Sequence, residues 1–316
     1  MKIKTEEITK GDILTDVLNG LSQTPKMLPS KLFYDKKGSQ LFDEICELNE
    51  YYPTRTEMQI MQNNIKEMGE LLGEGTMLIE LGSGSSQKIK LLLDHIPGLA
   101  GYIPIDISSE HLINSSKILR EEYTHINIFP LAADYTKYFE LPVIDKPFDH
   151  KAVYFPGSTI GNFTKIEARK FINRIADIAG KNGGLIIGVD LQKDKEILEA
   201  AYNDKKGITA AFNLNILNHI NTELKTEFEL TKFKHFAYFN KGIGRIEMHL
   251  VSTEEQAVKI DRSNFLIKKN EHIITEYSYK YTLQDFEKLA KDRFDLKRVW
   301  KDHKNLFSIQ YLKVRD

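Results

Sequence analysis

Thiol chemistry is nearly missing from this sequence of 316 residues: its one cysteine, Cys46, excludes an internal disulfide and any metal site built on a cysteine cluster. A charge excess is missing too. Lys plus Arg number 44 against 45 Asp plus Glu, and a net charge of -1 leaves no electrostatic footprint for nucleic acid or a membrane surface as main partner. The nine histidines are scattered without an HExxH pair, so they read as surface or hydrogen-bonded core residues, not metal ligands. Long apolar runs are also lacking: no hydrophobic stretch follows the amino-terminal lysines, and runs such as Leu185 to Val189 are strand-sized. What is present is 41% hydrophobic, 28% charged and 10% aromatic residues. That balance rules out disorder and suits a compact protein of about two domains, or one enlarged by an insertion; the lone thiol and missing apolar runs lead us to expect a cytoplasmic protein, and the even charge a small-molecule substrate.

No internal repeat appears, so organisation is read from changes of pattern. From Glu6 to about Met68 the apolar spacing is helical, with Leu41, Phe42, Ile45 and Leu48 sharing a face, and a turn is expected around Pro53. From Met77 to about Asp190, β-rich runs alternate with helical stretches: Met77 to Leu81, Gly101 to Ile107, Ile126 to Ala132, Ala152 to Phe155 and Leu185 to Val189. This alternation predicts a parallel sheet with crossover helices. Between Lys193 and Tyr281 two helical stretches (194–203 and 209–224) precede strands with alternating side chains, which predicts an inserted lobe. Beyond it, a helix capped by Thr282 with Asp285 leads to strand candidates around Val299 and from Phe307 to Val314 that close the sheet.

The chemistry gathers at strand ends. Leu78-Ile79-Glu80-Leu81-Gly82-Ser83-Gly84-Ser85-Ser86-Gln87-Lys88 is an apolar strand running into a glycine turn and a helix, where bare backbone admits a ligand. Gln87 stands where a dinucleotide fingerprint needs its third glycine, and no Gly-Lys-Ser/Thr follows for a phosphate loop. The glycine pair alone fits an empty strand–helix turn equally well. Asp106 ends the next strand about twenty residues on, where a Rossmann-like site binds ribose hydroxyls, and Asp134-Tyr135 ends the third. Singly, each acid reads as a cap or turn residue. Three strand ends in agreement favour an adenosyl ligand, and without the third glycine S-adenosylmethionine fits better than NAD. A fourth strand end, Phe155-Pro156-Gly157-Ser158-Thr159-Ile160-Gly161-Asn162, offers the amide of Asn162 to a substrate, or a turn-capping asparagine. In the lobe, strand periodicity over 273–281 sets Glu276, Ser278 and Lys280 on one face and Tyr277, Tyr279 and Tyr281 on the other. Loop tyrosines at Phe33-Tyr34-Asp35 and Glu50-Tyr51-Tyr52-Pro53-Thr54-Arg55 line a pocket or pack in the core.

Taken together, Lys31-Leu32-Phe33-Tyr34-Asp35, Glu50-Tyr51-Tyr52-Pro53-Thr54-Arg55, Glu80-Leu81-Gly82-Ser83-Gly84, Gly157-Ser158-Thr159-Ile160-Gly161-Asn162, Ala200-Ala201-Tyr202-Asn203-Asp204 and Thr275-Glu276-Tyr277-Ser278 resemble the histidine Nα-methyltransferases of ergothioneine biosynthesis. The resemblance spans nearly the whole chain. It implies a Rossmann-like class I methyltransferase domain with an inserted α+β substrate-binding lobe, S-adenosylmethionine as cofactor, and Nα-trimethylation of L-histidine to hercynine. By this resemblance the cofactor meets Tyr34, Gly82, Gly84, Lys88, Asp106, Asp134 and Tyr135. Histidine meets Tyr51, Asn162, Tyr202, Glu276 and Ser278; Asn162 and Tyr202 hold its head group, Glu276 and Ser278 recognise the imidazole, and Met248 shapes the pocket. Tyr34 and Asn162 orient the reacting amine. Two departures stand out: Tyr135 where phenylalanine is more usual, and the large ring of Tyr277 between the specificity pair. The expected division is a methyltransferase domain at 57–193 and 282–316, with a substrate lobe at 1–56 and 194–281. The expected protein is a monomer with a small-molecule partner, without metal, nucleic acid or membrane. Rival readings are a methyltransferase for another amino acid such as tryptophan, against which the acid Glu276 argues, and a non-catalytic binding module.

Overall fold

The computed structural model of the chain describes residues 4–5, 9–84 and 87–315; Glu6 of the first helical stretch and Ser85 and Ser86 of the glycine turn lie outside them. The chain divides into two compact units, one made of Met1–Glu7, Pro53–Gln192 and Lys280–Asp316, the other of Ile8–Tyr52 and Lys193–Tyr279. In chain order the elements begin with β1 (Lys4–Thr5), α1 (Lys10–Leu21), β2 (Lys26–Met27), α2 (Lys36–Cys46), α3 (Tyr52–Leu72) and β3 (Thr76–Leu81). There follow α4 (Gln87–His95), β4 (Gly101–Asp106), α5 (Ser109–Glu122), β5 (Leu131–Ala132), β6 (His150–Phe155), α6 (Lys165–Ala179) and β7 (Gly184–Asp190). Next come α7 (Lys195–Tyr202), α8 (Ile208–Leu224), β8 (Phe233–Asn240), β9 (Arg245–Ser252), β10 (Gln256–Ile260), β11 (Ser263–Ile267) and β12 (His272–Tyr279). The last are α9 (Leu283–Ala290), β13 (Phe294–Lys301) and β14 (Phe307–Val314).

The first unit is built on an eight-stranded sheet of order β1-β5-β4-β3-β6-β7-β14-β13. Every pairing from β1 to β7 is parallel, and β14 and β13 close the edge antiparallel. The chain steps outward from β3 through β4 to β5, then returns to the other side of β3 as β6. This reversal leaves a crevice at the carboxyl ends of the strands, the ligand-binding position of open α/β sheets. This is the parallel sheet that the alternation predicts, in the Rossmann-like arrangement that the resemblance implies. All residues of β3 and β7 are buried, as befits strands covered on both faces. Leu78, Tyr102, Tyr154 and Ile186 on neighbouring strands share one core cluster with Ile60 and Met68 of α3 and Ile89 of α4. Each such fully buried apolar side chain contributes roughly 1.5–3 kcal/mol.

The second unit carries the four-stranded sheet β2-β12-β9-β8 and the separate hairpin β10-β11. Helices α7 and α8 pack on β8 and β9, while α1 and α2 pack on α8. Ile246, Met248 and Leu250 are buried, as their alternation requires.

Several boundaries depart from expectation for identifiable reasons. The run from Ile126 to Ala132 gives only the short β5 and an isolated bridge from Ile128 to Tyr102, because Pro130 has no N–H for the ladder. The helical stretch is interrupted over 47–51, between α2 and α3, and Pro53 itself sits in the first turn of α3, where its fixed φ suits a helix start. Lys4–Thr5 pairs with β5 in the first unit's sheet, although the stretch 1–56 was expected in the lobe. Strand β12 stops at Tyr279, so Lys280 does not extend the face of Glu276 and Ser278. Its amine instead lies 2.8 Å from Asp190 Oδ2 within the first unit, both side chains only 1% exposed. Thr282 caps α9, accepting from the Asp285 amide at 3.1 Å. Among the described residues no helix is long and apolar enough to cross a membrane.

The Asp190–Lys280 pair generates a prediction. Lys280→Ala leaves a buried carboxylate beside β7 without its cation, so unfolding free energy falls by about 3–5 kcal/mol. Chemical denaturation measures this, and a loss below about 1 kcal/mol would show the pair to be dispensable.

Candidate functional site

In the first unit the predicted cofactor residues converge at the carboxyl ends of β3, β4 and β5. Gly82 adopts φ of 75°, a conformation side-chain-bearing residues rarely take, while its N–H donates to the Ile105 carbonyl at 2.8 Å. A Cβ there would lie 3.6 Å from the Tyr135 ring, so the bare turn sits against an aromatic plane. Asp106 accepts from the amides of Gly84 at 3.2 Å and Ser108 at 2.9 Å, tying the glycine turn to the next strand end. Burial pushes its carboxyl above the ordinary value, with those amide bonds pulling the other way. Asp134 is 8% exposed and accepts from the Thr136 amide at 3.0 Å; the Tyr135 ring packs on Phe155 and Phe171. A glycine backbone turn, two carboxylates and a ring at adjacent strand ends are a donor set suited to the ribose, adenine and amino-acid parts of an adenosyl ligand.

Asn162 ends a short 3₁₀ turn, Thr159–Asn162, beyond β6. The turn is entered through Gly157 at φ 74° and Ser158 at φ 58°. Lys88, on the first turn of α4, is ion-paired with Glu57 of α3, whose side chain is fully buried. The same carboxylate accepts from the Gly157 amide, both oxygens lying 3.0 Å away. Glu57 therefore ties the helix after the glycine turn to the loop that carries Asn162. The sequence does not reveal this role: Glu57 sits in a helix with no periodic signal to mark an inward acid. Gly188 of β7 gives one hint after the fact, since a Cβ there would strike Glu57 Oε1 at 2.2 Å. His111 of α5, also unmarked by any motif, places Nε2 at 2.8 Å from the Gly84 carbonyl.

The predicted substrate residues, apart from Asn162, lie in the second unit, and Tyr34 is there too. Tyr51 is ringed by Phe42 and Tyr202 at centroid distances of 6.2 and 6.5 Å. Burial drives its hydroxyl well above the ordinary pKa, and the neighbouring ionisable groups Tyr202, Cys46, Glu276 and Tyr34 add to the rise. Tyr34 packs edge-on against Phe42 and Phe212. Its segment is anchored to α8: Asp35 accepts from the Gly38 amide at 2.6 Å and from Asn215 Nδ2 at 2.8 Å, and His219 Nδ1 meets the Leu32 carbonyl at 2.8 Å. The Tyr202 hydroxyl donates to Ser278 Oγ at 2.8 Å, and Glu276 stands opposite Met248 across the β12–β9 ladder. The Tyr277 ring does not stand between Glu276 and Ser278: the residue lies opposite Glu247, with the Arg245 guanidinium carbon 3.4 Å from its ring centre. Among the described residues no cluster of His, Cys, Asp and Glu could hold a metal.

Residues 13–314 match a family model described as histidine-specific methyltransferase, SAM-dependent. The histidine N-alpha-methyltransferase of Mycolicibacterium smegmatis is 39% identical over 272 residues, covering 84% of this chain and 83% of that protein. The histidine N-alpha-methyltransferase of Mycobacterium tuberculosis is 36% identical over 301 residues, 93% of this chain and 92% of that protein. Ergothioneine biosynthesis protein 1 of Neurospora crassa is 32% identical over 273 residues, 84% of this chain and 30% of that larger protein.

Beneath the glycine turn, Glu80 is buried on β3 and accepts from the Tyr102 hydroxyl. Loss of hydration pushes its pKa up to about 8, the Tyr102 bond only partly opposing it. The folded protein thus holds this proton more tightly than the unfolded chain, so its stabilising contribution is full below the ordinary carboxylate range and fades as pH rises towards about 8. Glu80→Gln keeps an acceptor for Tyr102 without a titratable group. Its melting temperature relative to wild type should climb between about pH 5 and about pH 8 and then level off. A difference that stays flat across that range would contradict a raised Glu80 pKa.

Proposed function

Because the chain belongs to the histidine-specific, S-adenosylmethionine-dependent methyltransferase family, we propose that it is the N-methyltransferase that converts L-histidine to its Nα-trimethyl derivative, hercynine. In this reading the first unit is the S-adenosylmethionine-binding domain and the second the substrate-binding lobe. The observation that carries the choice of substrate is the pairing of Glu276 with Ser278 beside Tyr202. A neutral imidazole offers one N–H donor and one nitrogen acceptor. A carboxylate accepts from the first. In this reading the second is met by the hydroxyl of Ser278, whose oxygen accepts from the Tyr202 hydroxyl. An indole offers a donor only and so presents no acceptor to that pair.

S-adenosylmethionine supplies a methyl group made electrophilic by its sulfonium. Gly82, Gly84, Asp106, Asp134, Tyr135 and Lys88 hold it in this proposal, Lys88 being presented by its pairing with Glu57. The chain's remaining task is alignment, because displacement needs an in-line amine at about 3–3.5 Å and little else. Asn162 and Tyr202 hold the amino-acid head group, and Asn162 with Tyr34 orients the amine lone pair. The amine loses its proton to solvent before each transfer, and repeated rounds require a pocket that also admits the mono- and dimethylated amine.

Mass spectrometry of the purified protein with S-adenosylmethionine and an equimolar amino-acid mixture tests the reading. The expected product is histidine heavier by three methyl groups. A methylated tryptophan or other amino acid would overturn the pocket assignment, and cofactor binding without any product would favour a binding module. Asn162→Ala should lower kcat/KM by about 10- to 100-fold, and Glu276→Ala should raise the histidine KM by a similar factor with cofactor affinity unchanged. An Asn162→Ala enzyme of full activity would sink its assignment.

A further inference from the structure

Strand β12 contains a β-bulge. Ile273 pairs with Leu250 and Ile274 with His249, but the next partner, Met248, faces Glu276, leaving Thr275 as the extra residue. Continued without the bulge, the ladder would set Thr275 opposite Met248, Glu276 opposite Glu247 and Ser278 opposite Arg245. A one-residue slip turns every side chain to the other face, so the bulge decides which face Glu276 occupies. It also keeps the carboxylates of Glu276 and Glu247 from standing directly opposite each other.

The extra residue is held from the helix above it. Thr275 is fully buried, and its hydroxyl donates to Asn213 Oδ1 of α8 at 2.6 Å, with the Met248 carbonyl at 3.1 Å. Asn213 is fully buried too and spends both amide protons: one on the His249 carbonyl at 3.0 Å, the other on His235 Nδ1 at 2.9 Å. With Nδ1 accepting, His235 carries its proton on Nε2, which donates to the Tyr202 carbonyl at 2.8 Å. Burial lowers the His235 pKa, in keeping with this neutral ring. Tyr202 in turn donates to Ser278. One helix amide therefore reaches both members of the specificity pair, Glu276 through the bulge and Ser278 through His235 and Tyr202. All these residues belong to the second unit.

We propose that Asn213 and Thr275 are specificity-determining positioning residues, their hydrogen bond pinning the β12 bulge so that Glu276 and Ser278 share the substrate face. The inference rests on the histidine reading above. Both residues are fully buried and act in this proposal through Glu276 and Ser278. Valine would fill the Thr275 site in shape, so the hydroxyl itself is what the proposal requires.

Calorimetric titration of L-histidine into the protein saturated with S-adenosylhomocysteine, and of S-adenosylhomocysteine alone, tests it in wild type, Thr275→Val and Thr275→Ser. Thr275→Val should weaken histidine binding by about tenfold or more, while Thr275→Ser, which restores the hydroxyl, recovers most of that loss. Affinity for S-adenosylhomocysteine should stay within about twofold in both. Wild-type histidine affinity in Thr275→Val, or an equal loss of both affinities, overturns the proposal. A wild-type protein that binds S-adenosylhomocysteine but not histidine overturns the substrate reading instead, and the crystal structure of Thr275→Val then decides the positioning claim. Glu276 displaced from its place opposite Met248 supports it, and an unchanged bulge refutes it. Should Thr275→Val fail to fold, Thr275→Ala is read by the same two measurements.

Discussion

A carboxylate without access to water, Glu57, is the constraint on which the first unit's ligand edge depends. Burying its charge costs several kcal/mol unless partners replace the lost hydration. They do so here: the Lys88 ammonium and the Gly157 amide both bind it. These partners lie on α4 and on the turn after β6, so one charge on α3 fixes the spacing between the glycine-turn helix and the loop ending at Asn162. The β7 strand complies by offering Gly188 where any side chain would collide with Glu57. A neutral residue in place of Glu57 would satisfy packing and leave both loops without a common anchor.

The second unit answers a similar demand with neutral groups. Its buried Asn213 uses three hydrogen bonds to join α8, β8, β9 and β12, and Asp35 with Asn215 joins the Tyr34 segment to the same helix. Polar groups in such places are costly unless every one is paired, so they specify one arrangement sharply. That outlay suits a reaction whose barrier falls mainly through alignment. Nothing in a methyl displacement calls for a protein nucleophile, whereas an error of about 1 Å in alignment costs about a hundredfold in rate.

The parts of this arrangement legible in the sequence are those with short-range causes. Parallel strands buried on both faces read as continuous apolar runs, so β3, β4, β6 and β7 are evident, and the turns that follow them put Gly82, Asp106 and Asn162 at one edge. Thr282 with Asp285 reads as a cap because the capping geometry is local. What stays hidden depends on distant partners. Lys280 continues the alternation of β12, yet its charge is claimed by Asp190, ninety residues earlier in the chain. Glu57 and Asn213 look like ordinary helix residues because their partners come from elsewhere in the chain. Pro53 is legible as well: the helical stretch is broken just before it, and its fixed φ begins α3.

Strand β12 shows how a correct local reading can rest on a feature that periodicity does not contain. From Glu276 to Tyr279 the alternation is regular, and the two faces are those that a period of two predicts. Extended back through Thr275, the same period would set Ile274 on the face of Glu276, whereas the ladder sets Ile273 there, opposite Leu250. The bulge shifts the phase by one residue, and only its hydrogen bonds to α8 and β9 record where the shift occurs. Such a phase shift gives the two stretches of one strand different neighbours. The stretch before it pairs with both β2 and β9, and the stretch after it pairs with β9 alone and presents polar groups beside Tyr202. Side-chain substitutions after the bulge therefore leave the β2 pairing alone, whereas a change at Thr275 acts on the phase of the whole strand.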